Sequence, residues 1–288
     1  MQAVRIWLLG AAIAGWAAAS SAQPTLIDRT FTVNGLSLHI RCGGDRTPAS
    51  PLVVLEAGAG NSADTWRDVH IPIARFARVC AWDRPGRGSS ALSPTILNAD
   101  QYVPLLSDLL TAAGEPGPYV LVGHSIGGVI AALFANRHRE AIVGLVLVDS
   151  SHEEQVKRFN AVPSVAPPAG ATPPPAPPAP PPGMTPEPLP IMGLVELLGA
   201  QPWRGTVPLV VLTRGRTPPQ IADPNVAARN AVWLDLQRDW ATRSPKGRQV
   251  IAANSGHYIH NDEPALVIDA VRTVIEAVST TARPRRNN

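Results

Sequence analysis

The chain has 288 residues, of which 45% are hydrophobic and 16% are charged. This balance is typical of one globular domain with a buried core, and it excludes a disordered chain. The formal net charge is only +3, and no basic run is interleaved with aromatic residues. The sequence therefore gives no indication of nucleic-acid binding.

The N-terminus predicts an export signal. Arg5 precedes an apolar stretch over residues 6–19, and the small residues Ser20, Ser21 and Ala22 follow. This pattern is typical of a signal peptide over residues 1–22 that is cleaved after Ala22. The apolar stretch is short for a membrane span of about 20 residues. We therefore expect a secreted or periplasmic mature chain, residues 23–288, with no stable membrane span.

The mature chain begins with a predicted strand pair, 29–33 and 36–42, joined by Asn34-Gly35, which is a strong hairpin signal. Short runs rich in Val and Leu follow, as expected for parallel strands covered on both faces. These runs are 52–55, 78–82, 119–122, 143–148, 209–212 and 248–252. Segments with helical periodicity alternate with them: 98–113, 127–138, 227–241 and 264–278. The alternation predicts an α/β fold with a mostly parallel sheet.

A proline-rich segment interrupts this alternation. Between residues 163 and 190, half of the 28 positions are proline. Proline lacks the backbone N–H and fixes φ, so we expect this segment to be extended and disordered. Because the strand and helix pattern resumes afterwards, residues 151–207 are predicted to be an insertion in a single domain.

The strongest chemical signal is Gly123-His124-Ser125-Ile126-Gly127, which fits the pattern G-x-S-x-G. A buried strand precedes it and a helix follows it. A strand-to-helix turn this sharp strains the serine and needs glycines on both sides to avoid Cβ clashes. The turn exposes the hydroxyl at the carboxyl edge of the sheet, beside a helix N-terminus that favours negative charge.

With these features the chain resembles the α/β-hydrolase superfamily, in particular its small secreted esterase- and lipase-like members. The resemblance covers roughly residues 29–150 and 208–279, and it includes the glycine-rich turn 83–89, where Asp83 is expected to have a structural role. It implies the α/β-hydrolase fold, with a mostly parallel central sheet, helices on both faces and a Pro-rich lid insertion. It also implies that Ser125 is the nucleophile.

The resemblance also suggests the donors of an oxyanion hole. Glu56-Ala57-Gly58-Ala59-Gly60 follows the strand 52–55 at the place where this family usually has His-Gly-x. By that match the first backbone N–H is that of Ala59, and the second is that of Ile126, directly after the nucleophile. The histidine is replaced by Ala57, but a backbone donor tolerates a change of side chain.

A histidine late in the chain is the expected general base. Ser255-Gly256-His257 lies between the last predicted strand and the terminal helix, where the family places its catalytic histidine. Histidine suits the role because its ordinary pKa lies near neutral pH. His260 is the alternative base.

The catalytic acid is less well specified. The family's usual position follows the strand 209–212, but here the first carboxylate after that strand is Asp223. Some members place the acid one strand earlier, where this chain has Asp149. We favour Asp149 as the acid and retain Asp223 as the alternative; either would hold the histidine tautomer.

Cys42 and Cys80 are the two cysteines of the chain. An even number in an exported protein is consistent with one disulfide, the alternative being two buried thiols. In the sheet that the resemblance implies, the second strand neighbours the fourth, which brings the two cysteines close together.

The expected function is hydrolysis of carboxylic esters through an acyl-enzyme on Ser125, with a small-molecule acyl substrate and no metal or organic cofactor. Amidase or aminopeptidase, thioesterase and C–C hydrolase activities on the same fold remain alternatives, as does a non-catalytic binding protein. Epoxide hydrolases and haloalkane dehalogenases are disfavoured because they need Asp at position 125. The sequence does not determine the oligomeric state.

Overall fold

One eight-stranded sheet organises the molecule, in the order β1-β2-β4-β3-β5-β6-β7-β8. The computed structural model describes residues 24–47, 50–163, 189–217 and 225–282. The predicted signal peptide 1–22, most of the Pro-rich segment and Asp223 lie outside these ranges. The strands are β1 (Ile27–Val33), β2 (Leu36–Gly43), β3 (Leu52–Glu56), β4 (Val79–Trp82), β5 (Tyr119–His124), β6 (Ile142–Val148), β7 (Leu209–Arg214) and β8 (Gly247–Ala252).

The strand directions follow the sequence pattern. β1 pairs with β2, and β2 with β4, in antiparallel fashion, while β4, β3, β5, β6, β7 and β8 are parallel neighbours. Asn34 and Gly35 both have positive φ, at 49° and 79°, which gives the hairpin its tight two-residue turn. All the parallel strands run the same way, so their carboxyl ends share one edge of the sheet.

Helices cover both faces of the sheet. They are α1 (Arg67–Ala74), α2 (Ala99–Ala112), α3 (Ile126–Arg137), α4 (Gln155–Asn160), α5 (Ile191–Ala200), α6 (Val226–Thr242), α7 (Ile259–Asp262) and α8 (Pro264–Ala282). One core cluster includes side chains of α2, α3 and α5, and the other includes side chains of α1 and α8. Burial of apolar surface in these two layers stabilises the sheet from both sides.

Several elements differ from the sequence expectations. The run 248–252 was expected to be covered on both faces, but β8 is an edge strand and Ile251 is half exposed. The segment predicted to be a helix over 127–138 forms α3, in which every residue from Ile126 to Ala135 is buried, not one face alone. The insertion 151–207 contains α4 and α5, and the chain between β3 and β4 contains α1. None of these three helices was predicted from the sequence.

A disulfide joins Cys42 of β2 to Cys80 of β4, which are direct partners in the antiparallel register of these strands. The expected proximity of the two cysteines is therefore found, and the alternative of two free thiols is not. A search of the described ranges for helices with the length and apolar character of a membrane span finds none.

Candidate active site

Ser125 lies in a sharp turn between β5 and α3. Its backbone has φ 54° and ψ −126°, a conformation that non-glycine residues rarely adopt. The turn is fixed by a bond from the Ser125 N–H to the Val148 carbonyl (3.2 Å) and by two bonds that its own carbonyl accepts, from Gly128 and Ser151. The strained serine is half-buried, at the carboxyl edge of the sheet.

The glycines around Ser125 are required by close packing. A Cβ on Gly123 would lie 2.5 Å from the carbonyl oxygen of Gly127. A Cβ on Gly127 would lie 2.5 Å from the carbonyl oxygen of Ala57. The chain can therefore fold back on itself at the serine, and pack against the β3 loop, only because these positions lack side chains.

Asp149 follows β6, the neighbour of β5, and also has a positive φ, of 43°. Its carboxylate is fully buried and accepts four hydrogen bonds. Oδ1 accepts from the backbone N–H of Arg214 (3.1 Å) and from the indole of Trp233 (2.8 Å). Oδ2 accepts from the guanidinium of Arg214 (2.8 Å) and contacts Nδ1 of His257 (2.7 Å). The buried charge is thus paired and fully hydrogen-bonded.

His257 is held in the loop between β8 and α7. Glu263 accepts hydrogen bonds from the N–H of Asn254 (2.9 Å) and the hydroxyl of Ser255 (2.6 Å), and Asp262 accepts from the N–H of Gly256 (2.8 Å). With Asp149 on Nδ1, the ring presents Nε2 as its second nitrogen. The side chain is 33% exposed, so a small molecule can reach it.

Two buried histidines line the inner side of this loop. His124 donates from Nε2 to the carbonyl of His257 (3.0 Å), and His260 contacts the hydroxyl of Thr65 (3.0 Å). Burial, with a smaller contribution from the neighbouring histidines, holds the pKa of His124 well below its usual range. Burial also lowers the pKa of His260 to about 4, with His257 as the second cause. Both rings are therefore neutral near pH 7.

The loop after β3 approaches the nucleophile from the other side. A Cβ on Gly58 would lie 2.6 Å from Nδ1 of His124, so this loop is in contact with the residue that precedes Ser125. Neither Ala59 nor Ile126 uses its backbone N–H in a hydrogen bond to any part of the chain that the structure describes. Both N–H groups are consequently available to a bound oxyanion.

A polar groove with a volume of about 480 Å³ lies between residues 60–67 and the segment that follows His257. Its walls carry amide, hydroxyl and charged groups: Gly60, Asn61, Ser62, Asp64, Thr65, Arg67, Tyr258 and Asn261. Among the described residues, one group of three potential metal ligands is found, and two of its members are the disulfide-bonded cysteines.

The structure brings His257 and Asp149 together, while the alternative base His260 contacts Thr65 instead. The alternative acid Asp223 lies outside the described residues. Sequence reasoning missed Arg214 and Trp233, the two other partners of Asp149. The position of Arg214, two residues after the apolar run 209–212, was the available signal, because this strand end lies beside that of β6.

Comparisons with known proteins agree with this architecture. The model of the alpha/beta hydrolase family matches residues 52–270. The uncharacterized protein YqjL of Bacillus subtilis (strain 168) is 30% identical over 258 residues, which is 90% of this chain and 96% of YqjL. A thermophilic esterase from Thermogutta terrifontis superposes with a TM-score of 0.59 at 20% identity, covering 90% of this chain and 100% of the esterase.

The epoxide hydrolase VrEH1 from Vigna radiata has a TM-score of 0.63 at 16% identity, covering 87% of this chain and 98% of that one. At these identities the solved structures establish the fold alone, and the epoxide hydrolase shows that one fold serves different reactions. The family model covers most of the chain, and YqjL matches nearly end to end. This chain therefore belongs to the alpha/beta hydrolase family.

Proposed function

We propose that this protein is a serine hydrolase that cleaves carboxylic esters through an acyl-enzyme on Ser125. The observation that carries the proposal is the contact of 2.7 Å between His257 Nδ1 and the buried Asp149, one strand away from a serine in a strained turn. A hydrogen-bonded carboxylate on Nδ1 keeps the proton there, which leaves Nε2 free to accept the proton of a hydroxyl.

In the first step, His257 accepts the Ser125 proton while Oγ attacks the ester carbon. The carbonyl oxygen becomes an oxyanion, which the N–H groups of Ala59 and Ile126 stabilise. As the C–O bond to the leaving alcohol breaks, the imidazolium returns its proton to the alcohol oxygen. In the second step, His257 deprotonates a water molecule, which attacks the acyl-enzyme and releases the acid with Ser125 restored.

The polar groove, whose wall includes Tyr258 directly after His257, motivates a proposed preference for short or polar esters. An apolar channel would stabilise a long acyl chain by about 0.8 kcal/mol for each buried CH₂ group, but the amide, hydroxyl and charged lining described above offers little of this stabilisation. We expect turnover to be highest for short p-nitrophenyl esters and to decline toward the palmitate ester.

The test compares p-nitrophenyl esters from acetate to palmitate on residues 23–288, beside Ser125→Ala. Turnover that disappears in the variant supports the proposal, and kcat should fall by a factor on the order of 10⁶. If a folded wild-type protein has no esterase activity, amide, thioester and C–C substrates are tested next. Loss of every acyl-transfer activity would favour a binding protein on a hydrolase scaffold.

We also propose that the protein is exported and acts in the periplasm or outside the cell. The signal-like N-terminus motivates this proposal, and the disulfide between Cys42 and Cys80 supports it because disulfides persist in oxidising compartments. Fractionation of a producing cell, with N-terminal sequencing of the mature chain, is the test. A chain that keeps residues 1–22 in the cytoplasm would contradict the proposal.

A further inference from the structure

A buried arginine lies directly behind the candidate oxyanion loop. The side chain of Arg84 is 1% exposed, and its guanidinium group donates to two successive carbonyls of the loop after β3. NH1 donates to the Ala57 oxygen (2.6 Å) and NH2 to the Gly58 oxygen (2.6 Å). NH1 also donates to Glu56, at 2.7 Å. The planar guanidinium thus binds two consecutive peptide groups at once.

This loop contacts the nucleophile turn on both sides of Ser125. Gly58 packs against His124, and Gly127 packs against the Ala57 carbonyl, so neither glycine has room for a Cβ. The guanidinium therefore contacts the segment that lies against the residues flanking the serine. If this loop shifted, the distance between its backbone N–H groups and the Ser125 hydroxyl would change.

The Gly58 carbonyl and the Ala59 N–H belong to one planar trans peptide, so they point in opposite directions. Because the Gly58 oxygen is held toward Arg84, the Ala59 N–H is held pointing away from Arg84. On the basis of the proposed function, we infer that Arg84 is a positioning residue, which orients the Ala59 N–H as an oxyanion donor. The arginine itself does not touch the substrate.

The charge of Arg84 is balanced inside the protein. Glu56 is 2% exposed; its Oε1 accepts from Arg84 and its Oε2 accepts from the indole of Trp82 (2.5 Å). Trp82 and Glu56 end the neighbouring parallel strands β4 and β3, so the anchor of the guanidinium is part of the sheet. A buried charge that is paired and anchored in this way has a defined position.

The test uses two variants of Arg84. Arg84→Lys keeps the positive charge opposite Glu56, but one ammonium group lacks the planar fork that binds two successive carbonyls. The double variant Glu56→Gln, Arg84→Met removes both buried charges and both carbonyl contacts. We expect kcat for p-nitrophenyl butyrate to fall about 100-fold in the double variant and less in Arg84→Lys, with KM within about threefold.

Affinity for benzeneboronic acid separates positioning from a general structural role. This compound forms a tetrahedral anion on a nucleophilic serine, and its inhibition constant should rise in parallel with the fall of kcat. The matched control is Glu115→Gln, Arg78→Met, because Arg78 also joins a buried glutamate (2.5 Å) and a backbone carbonyl, that of Gly44 (3.0 Å). The control should lose stability but keep kcat and the inhibition constant.

Crystal structures of the variants complete the test. We expect the peptide between Gly58 and Ala59 to rotate in the double variant. The inference is overturned if a folded double variant keeps both the wild-type peptide orientation and kcat, or if the control loses kcat equally. If the wild type hydrolyses no ester, the proposed function fails, while the peptide orientation in the variants still decides whether Arg84 positions this loop.

Discussion

Asp149→Asn tests the proposed catalytic acid most directly. In the wild type, four hydrogen-bond donors surround the carboxylate: two from Arg214, one from Trp233 and one from His257. An amide offers only one oxygen, so it can replace only one side of the carboxylate, and its NH₂ group must face the donors on the other side.

The two orientations of the amide differ in cost. With its oxygen at the position of Oδ2, the NH₂ group faces the Arg214 backbone N–H and the Trp233 indole, and neither can become an acceptor. With its oxygen at the position of Oδ1, the NH₂ group faces the Arg214 guanidinium and His257, and the histidine can adapt by moving its proton to Nε2. One fewer donor is left unsatisfied, which favours this orientation by about 1–3 kcal/mol.

This favoured orientation removes the general base, because a protonated Nε2 cannot accept the Ser125 proton. We expect kcat to fall by a factor of about 10³–10⁴ with little change in KM. We also expect the free energy of unfolding to fall by about 3–5 kcal/mol, since Arg214 loses its buried counter-charge. The assays are p-nitrophenyl butyrate turnover and urea denaturation.

The double variant Asp149→Asn, Arg214→Met is the control. It removes both charges, so it should recover much of the lost stability while kcat stays low. The reasoning is refuted if Asp149→Asn keeps kcat within about tenfold of the wild type. If Asp223→Asn then abolishes turnover, Asp223 is the acid.

Three further predictions concern strain, the disulfide and pH. Ser125→Gly should relieve the positive φ at this position by about 1 kcal/mol and raise Tm by about 2–4 °C, while Ser125→Ala should not; calorimetry that gives both variants the same Tm would contradict this. Cys42→Ala with Cys80→Ala opens a link between residues 38 apart and should lower the free energy of unfolding by about 4 kcal/mol with kcat unchanged; a loss below about 1 kcal/mol in urea denaturation would count against it. Burial lowers the pKa of His70 from 6.5 to about 4, so the unfolded chain binds a proton at this residue between these values and the folded chain does not. The free energy of unfolding therefore falls by about 3 kcal/mol between pH 6.5 and pH 4 because of this residue. The variant His70→Leu lacks the titrating group, so its free energy of unfolding, measured by urea denaturation, should fall by about 3 kcal/mol less over the same range.

Much of the fold could be predicted from local sequence. The strands β3 to β7 coincide with apolar runs, because a strand covered on both faces needs apolar side chains at successive positions. The pair β1 and β2 was predicted instead from the Asn34-Gly35 turn that joins them. The helix predicted over 98–113 appears as α2, with Asn98 as its N-cap in a capping box with Gln101 and with Gly114 at positive φ just beyond its end. Caps of this kind are local features, so they can be read without tertiary information.

The missed elements depend on tertiary packing. α1 has only eight residues and contains Pro72, so it is too short to be stable alone, and packing of Val69 and Ile73 into the core stabilises it. α5 begins directly after the proline-rich stretch, and its residues were assigned to the insertion 151–207 without a predicted helix. Leu194 and Leu198, four residues apart, are fully buried and hold this helix against α2 and α3.

The partners of the candidate acid show what sequence alone cannot supply. His257 is 108 residues from Asp149, and Trp233 is 84 residues away, so no local pattern connects them. The Gly256-His257 dipeptide indicated the histidine, and the end of β6 indicated Asp149, but neither signal connected the two residues. Only the order of the strands, which places β6 beside β7, brings the arginine, the tryptophan and the histidine to one carboxylate.

This geometry gives a physical reason why the carboxylate follows β6 in this chain. Val148 and Leu212 are register partners, and the Asp149 N–H donates to the Leu212 carbonyl (2.7 Å), so the ends of β6 and β7 are directly adjacent. Arg214 occupies the end of β7, where the family usually has its acid. A cation there pairs with the carboxylate directly after β6 at 2.8 Å and would lose this counter-charge if the carboxylate moved to β7. The residues at positions 149 and 214 therefore depend on each other. A variant that moves the carboxylate from position 149 to the end of β7 should also replace the arginine at position 214.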